Sequence, residues 1–252
     1  MIPLHANEPT NAVRPLDISL VLQGRTVYER NCVMCHGRRG DGLGDMGLTV
    51  RPRPRNFRDG IFKFRSTPSG YLPTEDDLAR TIRNGLSGTA MPSFSALLRE
   101  REVRAVIEYV KSFSKRWERS ENYCSPLSSP QPPTWLLDRG QLGAHAAHGK
   151  RLFAVTCAPC HGVNADGRGT LIGTLKDSFD EPISPSDLRQ PLRCGTEAMD
   201  IYRVLVTGLD GTPMPSFAEG TTEQQRWDLI AYILELRRNF KPDPAPNSST
   251  GE

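Results

Sequence analysis

Two short runs carry the residue types best suited to chemistry: Cys32-Val33-Met34-Cys35-His36 and Cys157-Ala158-Pro159-Cys160-His161. Each is a C-x-x-C-H sequence, the attachment signature of a c-type haem. The spacing suits that chemistry. Two thiols three residues apart on a helical turn can both add to the haem vinyl groups, and the imidazole that follows then lies beneath the iron as proximal ligand. A neutral imidazole nitrogen coordinates iron well. Other uses of a C-x-x-C pair fit less well. A four-cysteine zinc site separates its pairs by ~15–20 residues, whereas these lie 125 apart. A thioredoxin-like redox pair needs a βαβ surround, and no stretch shows the sustained alternation of a large sheet. A zinc knuckle or a disulfide within each pair is what remains as alternative.

Two methionines stand at matching places downstream. Met91 in TAMPSF and Met214 in TPMPSF follow the motif histidines by 55 and 53 residues. A lone methionine usually fills a core. These two belong to a repeated frame in Gly/Pro/Ser loops, each before an amphipathic helix, and a thioether is a soft ligand that favours reduced iron. His36 with Met91, and His161 with Met214, are therefore the expected iron ligands.

The elements that must position these side chains come in two copies. GRTVYERNCVMCHGRRGDGLG (24–44) aligns with GKRLFAVTCAPCHGVNADGRG (149–169) at an offset of 125, and DLARTIRNGLSGTAMPSF (77–94) aligns with DIYRVLVTGLDGTPMPSF (200–217) at 123. A period this long means duplicated domains. The expected organisation is an N-terminal arm (1–19), a first domain (20–119), a Ser/Pro-rich linker (120–138), a second domain (139–240) and a polar tail (241–252). The prolines of the linker bar a helix interior and stiffen it into a surface strap. Val103, Val106, Ile107 and Val110 form an i, i+3, i+4, i+7 stripe, which Trp227, Ile230, Ala231 and Leu234 repeat. Thr74 with Asp77 reads as a capping box opening a helix that stops at Asn84-Gly85. The class is all-α, with Gly- and Pro-rich loops between motifs and helices.

Each half resembles a class I cytochrome c domain, and the whole resembles a dihaem member of that family. The resemblance spans about residues 20–115 and 145–240 and rests on C-x-x-C-H, the downstream Met-Pro and the terminal helices. It implies that the first and last helices of each half cross, with Gly24 and Tyr28 against Tyr109, and Gly149 and Phe153 against Tyr232. It implies two covalent haem c groups, held by Cys32, Cys35, His36 and Met91 and by Cys157, Cys160, His161 and Met214. The loop 37–73 is longer and more basic than the family minimum.

Arg51, Arg53, Arg55, Arg58, Lys63 and Arg65 cluster in that loop. They read as a solvated surface, as holders of haem propionates (Arg65 and Asn56 being the expected pair), or as a docking patch for an acidic redox partner. Asp41 and Asp166 read as turn formers. Cys124 and Cys194 belong to no motif and read as a disulfide pinning the linker, or as free buried thiols. His145 and His148 are expected on the solvent face of a helix, and His5 in a loose arm.

Composition closes off several classes. The formal net charge is +3 and aromatics are 7%, scattered, so nucleic-acid binding is not indicated. No apolar run approaches the ~20 residues of a membrane span. Residues 1–125 carry +6 and residues 126–252 carry −3, and such a dipole orients encounters with partners. The expected function is single-electron transfer between redox partners, as a carrier or as the cytochrome subunit of a respiratory oxidoreductase, without a substrate site of its own. The alternative is a dihaem enzyme, a peroxidase or a thiosulfate dehydrogenase; some of the latter use cysteine as an iron ligand. The resemblance implies a periplasmic or otherwise extracytoplasmic place and is compatible with peripheral association to a membrane complex. No hydrophobic signal segment precedes residue 20, so the numbering is expected to begin after a removed leader or at a trimmed start with an added Met1.

Overall fold

The computed structural model describes residues 15–240. The arm and tail expected at 1–19 and 241–252 fall largely outside them, as does His5. The described residues form eight α-helices: α1 (Ile18–Asn31), α2 (Val33–His36), α3 (Glu75–Asn84), α4 (Glu100–Lys111), α5 (Arg139–Thr156), α6 (Ala158–His161), α7 (Ala198–Thr207) and α8 (Glu223–Asn239). Short 3-10 turns join them. Among the described residues there is no strand, only one isolated antiparallel bridge between Lys176 and Pro182.

The helices start and stop where local chemistry dictates. Thr74 accepts from the Asp77 amide and Asp77 reaches back to the Thr74 amide, closing the expected capping box of α3, and Gly85 ends it. Thr222 and Gln225 make the same box for α8. The apolar stripe of α4 is buried over Val103, Val106, Ile107 and Val110.

Each half is built on a crossing of its first and last helices. α1 meets α4 so closely that a Cβ at Gly24 would lie 1.9 Å from the Ala105 carbonyl oxygen. α5 meets α8 likewise, and a Cβ at Gly149 would lie 1.9 Å from the Asp228 carbonyl oxygen. Only glycine allows either approach. An edge-on aromatic pair flanks each crossing: Tyr28 with Tyr109 at 5.2 Å and 61°, Phe153 with Tyr232 at 5.3 Å and 60°. Two apolar cores result, one per half.

The Ser/Pro-rich segment runs as a strap. The Leu127 amide donates to the Ser66 carbonyl of the first half at 2.8 Å. Leu127, Trp135 and Leu136 pack on the core of the second. Trp135 also stacks on His145, with ring centroids 3.6 Å apart. Direct bonds join the halves too, among them Arg53 to Glu181 at 2.7 Å.

Candidate haem sites

The cysteines sit at a helix junction. α1 ends into Cys32, whose carbonyl then accepts from the Cys35 amide at 3.2 Å and the His36 amide at 2.8 Å. Cys157 repeats this toward Cys160 at 3.1 Å and His161 at 2.8 Å. Both sulfurs and the imidazole of a motif are thus fixed on one helical turn. Burial pushes the Cys32 thiol up to about 12 and the Cys157 thiol up to about 11, each helped by the neighbouring motif cysteine. A disulfide-exchange pair works through a lowered thiol pKa, so the surroundings disfavour that use.

Each histidine is oriented by a backbone carbonyl. His36 Nδ1 lies 3.1 Å from the Arg55 oxygen, and His161 Nδ1 lies 3.3 Å from the Ser186 oxygen. Donation from Nδ1 leaves the Nε2 lone pair free for a metal. Burial lowers His36 to about 4 and also lowers His161, so both rings are neutral near pH 7. Phe57 stacks on His36 at 4.4 Å.

The methionine loops are copies of one another. The Leu86 amide donates to the Met91 carbonyl at 3.1 Å, and the Met91 amide donates to Thr89 Oγ1 at 3.1 Å. In the second half Leu209 donates to the Met214 carbonyl at 3.0 Å, and Met214 to Thr212 Oγ1 at 3.2 Å.

All these side chains line one cavity of about 810 Å³ that runs through both halves. Cys32, Cys35, His36 and Met91 reach it from the first half, and Cys157, Cys160, His161 and Met214 from the second. Its apolar walls obey the repeat. Leu78, Ile82, Val106 and Val110 line the first part, and Ile201, Leu205, Leu229 and Ile233 line the second, each 123 residues later. Of these, the helical stripe singled out Val106 and Val110; the others were missed, although the offset that located the methionines also locates them.

The cavity has a cationic edge. Arg53 Nε and Arg55 Nη1 are buried there without a hydrogen-bond partner. Arg193 lines the same region, and burial lowers both Arg55 and Arg193. Lys63 is pushed down to about 8 by burial, then by Arg55 and Arg193. A buried N–H left without an acceptor is costly, even where another nitrogen of the same guanidinium is paired, as Arg53 Nη2 is with Glu181. An apolar ring system bearing carboxylates satisfies both the walls and this edge, so the residues present fit a haem in each half.

Several expected placements are corrected. Arg65 does not line this cavity. Its buried guanidinium donates to the Pro68, Phe62 and Thr207 carbonyls and pairs with Asp210 at 2.8 Å. Asn56 is not at the cavity either; its Oδ1 accepts from the Arg58 amide and its Nδ2 donates to Asp59. Both are already satisfied by protein partners; Arg53 and Arg55, twelve and ten residues before Arg65 in the chain, and Arg193 line the cavity instead. His145 and His148 do not face solvent alone. Both bond the buried Asp228 carboxylate, His145 at 2.6 Å. Cys124 and Cys194 are free thiols rather than a disulfide. Cys194 lines the cavity, and burial pushes its thiol up to about 12. Asp41 and Asp166 are turn formers, accepting from the Leu43 and Arg168 amides.

Comparison with known proteins agrees with this geometry. Residues 19–110 match the family described as cytochrome c oxidase, cbb3-type, subunit III, and residues 146–237 match the family described as cytochrome c. The cytochrome bc1 complex cytochrome c subunit of Corynebacterium efficiens is 24% identical over 91% of this chain and 66% of its own length. The cbb3-type cytochrome c oxidase subunit CcoP of Rhodobacter capsulatus is 33% identical over 39% of this chain and 31% of its own length. The chain therefore spans about two thirds of one relative and under a third of the other. A chain from the reducing HAO-like protein complex of Kuenenia stuttgartiensis superposes with a TM-score of 0.78 at 33% identity, covering 94% of this chain and 99% of that one. With two such sites on two such folds, the chain belongs to the dihaem class I c-type cytochromes, electron-transfer proteins that carry one covalent haem c in each of two all-α domains.

Proposed function

We propose that this cytochrome passes single electrons between its two haem sites as the cytochrome subunit of an extracytoplasmic respiratory oxidoreductase, with His36 and Met91 on one iron and His161 and Met214 on the other. One observation carries the reading: both histidine turns and both methionine loops face a single cavity. When bound, each haem supplies a ferric/ferrous couple. The chain's own part is to hold ligands and exclude water. Carbonyls of Arg55 and Ser186 fix the histidine rings, threonine hydroxyls fix the methionine loops, and the apolar walls keep solvent away. Cations at the seam between the halves (Arg53, Arg55, Lys63 and Arg193) would hold propionates. The domains proposed for this work are 20–119 and 139–240, joined by the strap.

The complex is suggested by relatives named as bc1 and cbb3 subunits. Among the described residues no helix is long and apolar enough to cross a membrane, so association would run through a partner or through parts of the chain outside them.

Ligand-sensitive spectra during a redox titration of wild type, Met91→Ala and Met214→Ala test the assignment. Each substitution is expected to remove the methionine-to-ferric-iron charge-transfer band of one haem and lower one potential, because the thioether favours reduced iron. Unchanged spectra in both variants would reject the ligands. High-spin iron in the wild type would favour the peroxidase or thiosulfate dehydrogenase reading instead.

A further inference from the structure

The two methionine loops share their internal bonds and their downstream anchors. Ser93 Oγ donates to the Arg83 carbonyl and Phe94 N to Ile82, while Ser216 Oγ donates to Val206 and Phe217 N to Leu205. Upstream of the methionine they differ. Asp210 stands where the first loop has Ser87, and it is gripped by the other half of the molecule. Its Oδ1 pairs with Arg65 Nη2 at 2.8 Å and accepts from Ser69 Oγ at 2.7 Å, and its Oδ2 accepts from the Gly70 amide at 2.8 Å. Arg65 Nη2 also donates to the Thr207 carbonyl, at the start of the same loop, at 2.6 Å. A Cβ at Gly211 would lie 3.0 Å from Arg55 Nη1, whereas one at Gly88 would meet nothing within 4 Å. Ser87 makes no hydrogen bond among the described residues. Arg65 is 1% exposed and uses all three guanidinium nitrogens, so the grip is built on a rigid, desolvated group rather than on a surface pair.

We propose that Arg65 and Asp210 are positioning residues by which the first domain holds the Met214 loop closed over the second iron, while the Met91 loop closes without help from its neighbour. This rests on the reading of Met214 as an iron ligand. A hydrogen-bonded charge pair in a buried site resists opening far more than a surface pair does, so releasing it opens the loop more often.

Asp210→Asn in the dihaem protein separates this role from simple electrostatics. Deleting a carboxylate near an iron raises its potential, whereas losing a thioether lowers it. Three measurements apply: the methionine-to-iron band, the two potentials, and the rate at which added imidazole displaces methionine from ferric iron. The expected result is imidazole binding roughly tenfold or more faster at one haem only, with a weakened band and a lowered potential there. Ser69→Ala should move the same readouts less. Ser87→Ala should move none, and it serves as the matched control. The same variants are read against Met214→Ala. If Met214→Ala abolishes one haem's band while Asp210→Asn and Ser69→Ala behave like Ser87→Ala, or if Asp210→Asn only raises the potential with the band intact, the clamp is wrong and the ligand stands. If Met214→Ala leaves the band untouched, the ligand reading falls and the clamp falls with it.

Discussion

Charged side chains in this protein are explained by what they touch rather than by where they lie in the chain. Asp228 is the clearest case. Burial alone would push its carboxyl up, but hydrogen bonds from His148, His145 and Gln224 outweigh that and hold it below the usual carboxylate range. A carboxyl with a depressed folded pKa stabilises the fold above its unfolded value near ~3.9, and that contribution is lost as the pH falls through the folded value. Asp228→Asn is therefore expected to cost about 1–3 kcal/mol at neutral pH and to flatten the acid limb of the stability curve below pH ~4. Thermal unfolding at pH 7 and in the acid limb checks both. A variant as stable as wild type at pH 7 would show that the three donors are idle. Arg65 teaches the same lesson. A lone arginine in a basic loop announces that it needs an anion, and a propionate and the Asp210 carboxylate answer that need equally well. Its partners lie up to 145 residues away in sequence, and no local spacing encodes them.

Elements were far more legible than these pairings. The C-x-x-C-H turn, the capping box at Thr74 and the stripe of α4 are each specified within a few residues, so periodicity and capping rules reach them. The duplication extended that reach to the Met91 and Met214 loops, because each could be checked against its copy, while the helix crossings were implied by the resemblance to class I cytochrome c. The strap from 120 to 138 was legible as proline-stiffened, but its docking was not, since Leu127 finds its backbone partner at Ser66 and Trp135 its ring partner on α5. The crossings give the firmest test at this scale. Gly24→Ala and Gly149→Ala each place a methyl on a backbone carbonyl of the facing helix. That cannot be absorbed by a rotamer change, so each is expected to cost about 1–3 kcal/mol or more. Calorimetry of the dihaem protein should show each loss in the half that carries the substitution, and a neutral result for either would mean that the helices separate freely.

At the scale of the whole molecule, charge is divided. The first 125 residues carry +6 and the remainder −3. Met34, Leu43, Met46 and Leu48 are exposed around the first motif, beside Arg38 and Arg39. Such a face favours encounter with an acidic redox partner. Stopped-flow reduction by an acidic electron donor is expected to slow steeply as salt rises from low ionic strength to about 0.15 M, where screening acts within ~8 Å. A neutral donor should show little change, and salt-independent rates with both would remove the case for steering.

Residues of both halves line one shared cavity. Its interior is apolar and its cations sit at the seam, so charge added at one end is poorly screened from the other. Haems held in the two halves would then sense each other's charge. With both haems bound, an electron on one would raise the cost of reducing the other, so a midpoint would be assigned to its haem through the spectrum read with it. The spectrum would name the iron that a substitution has changed, and the paired midpoints would say how far the change reaches across the shared cavity.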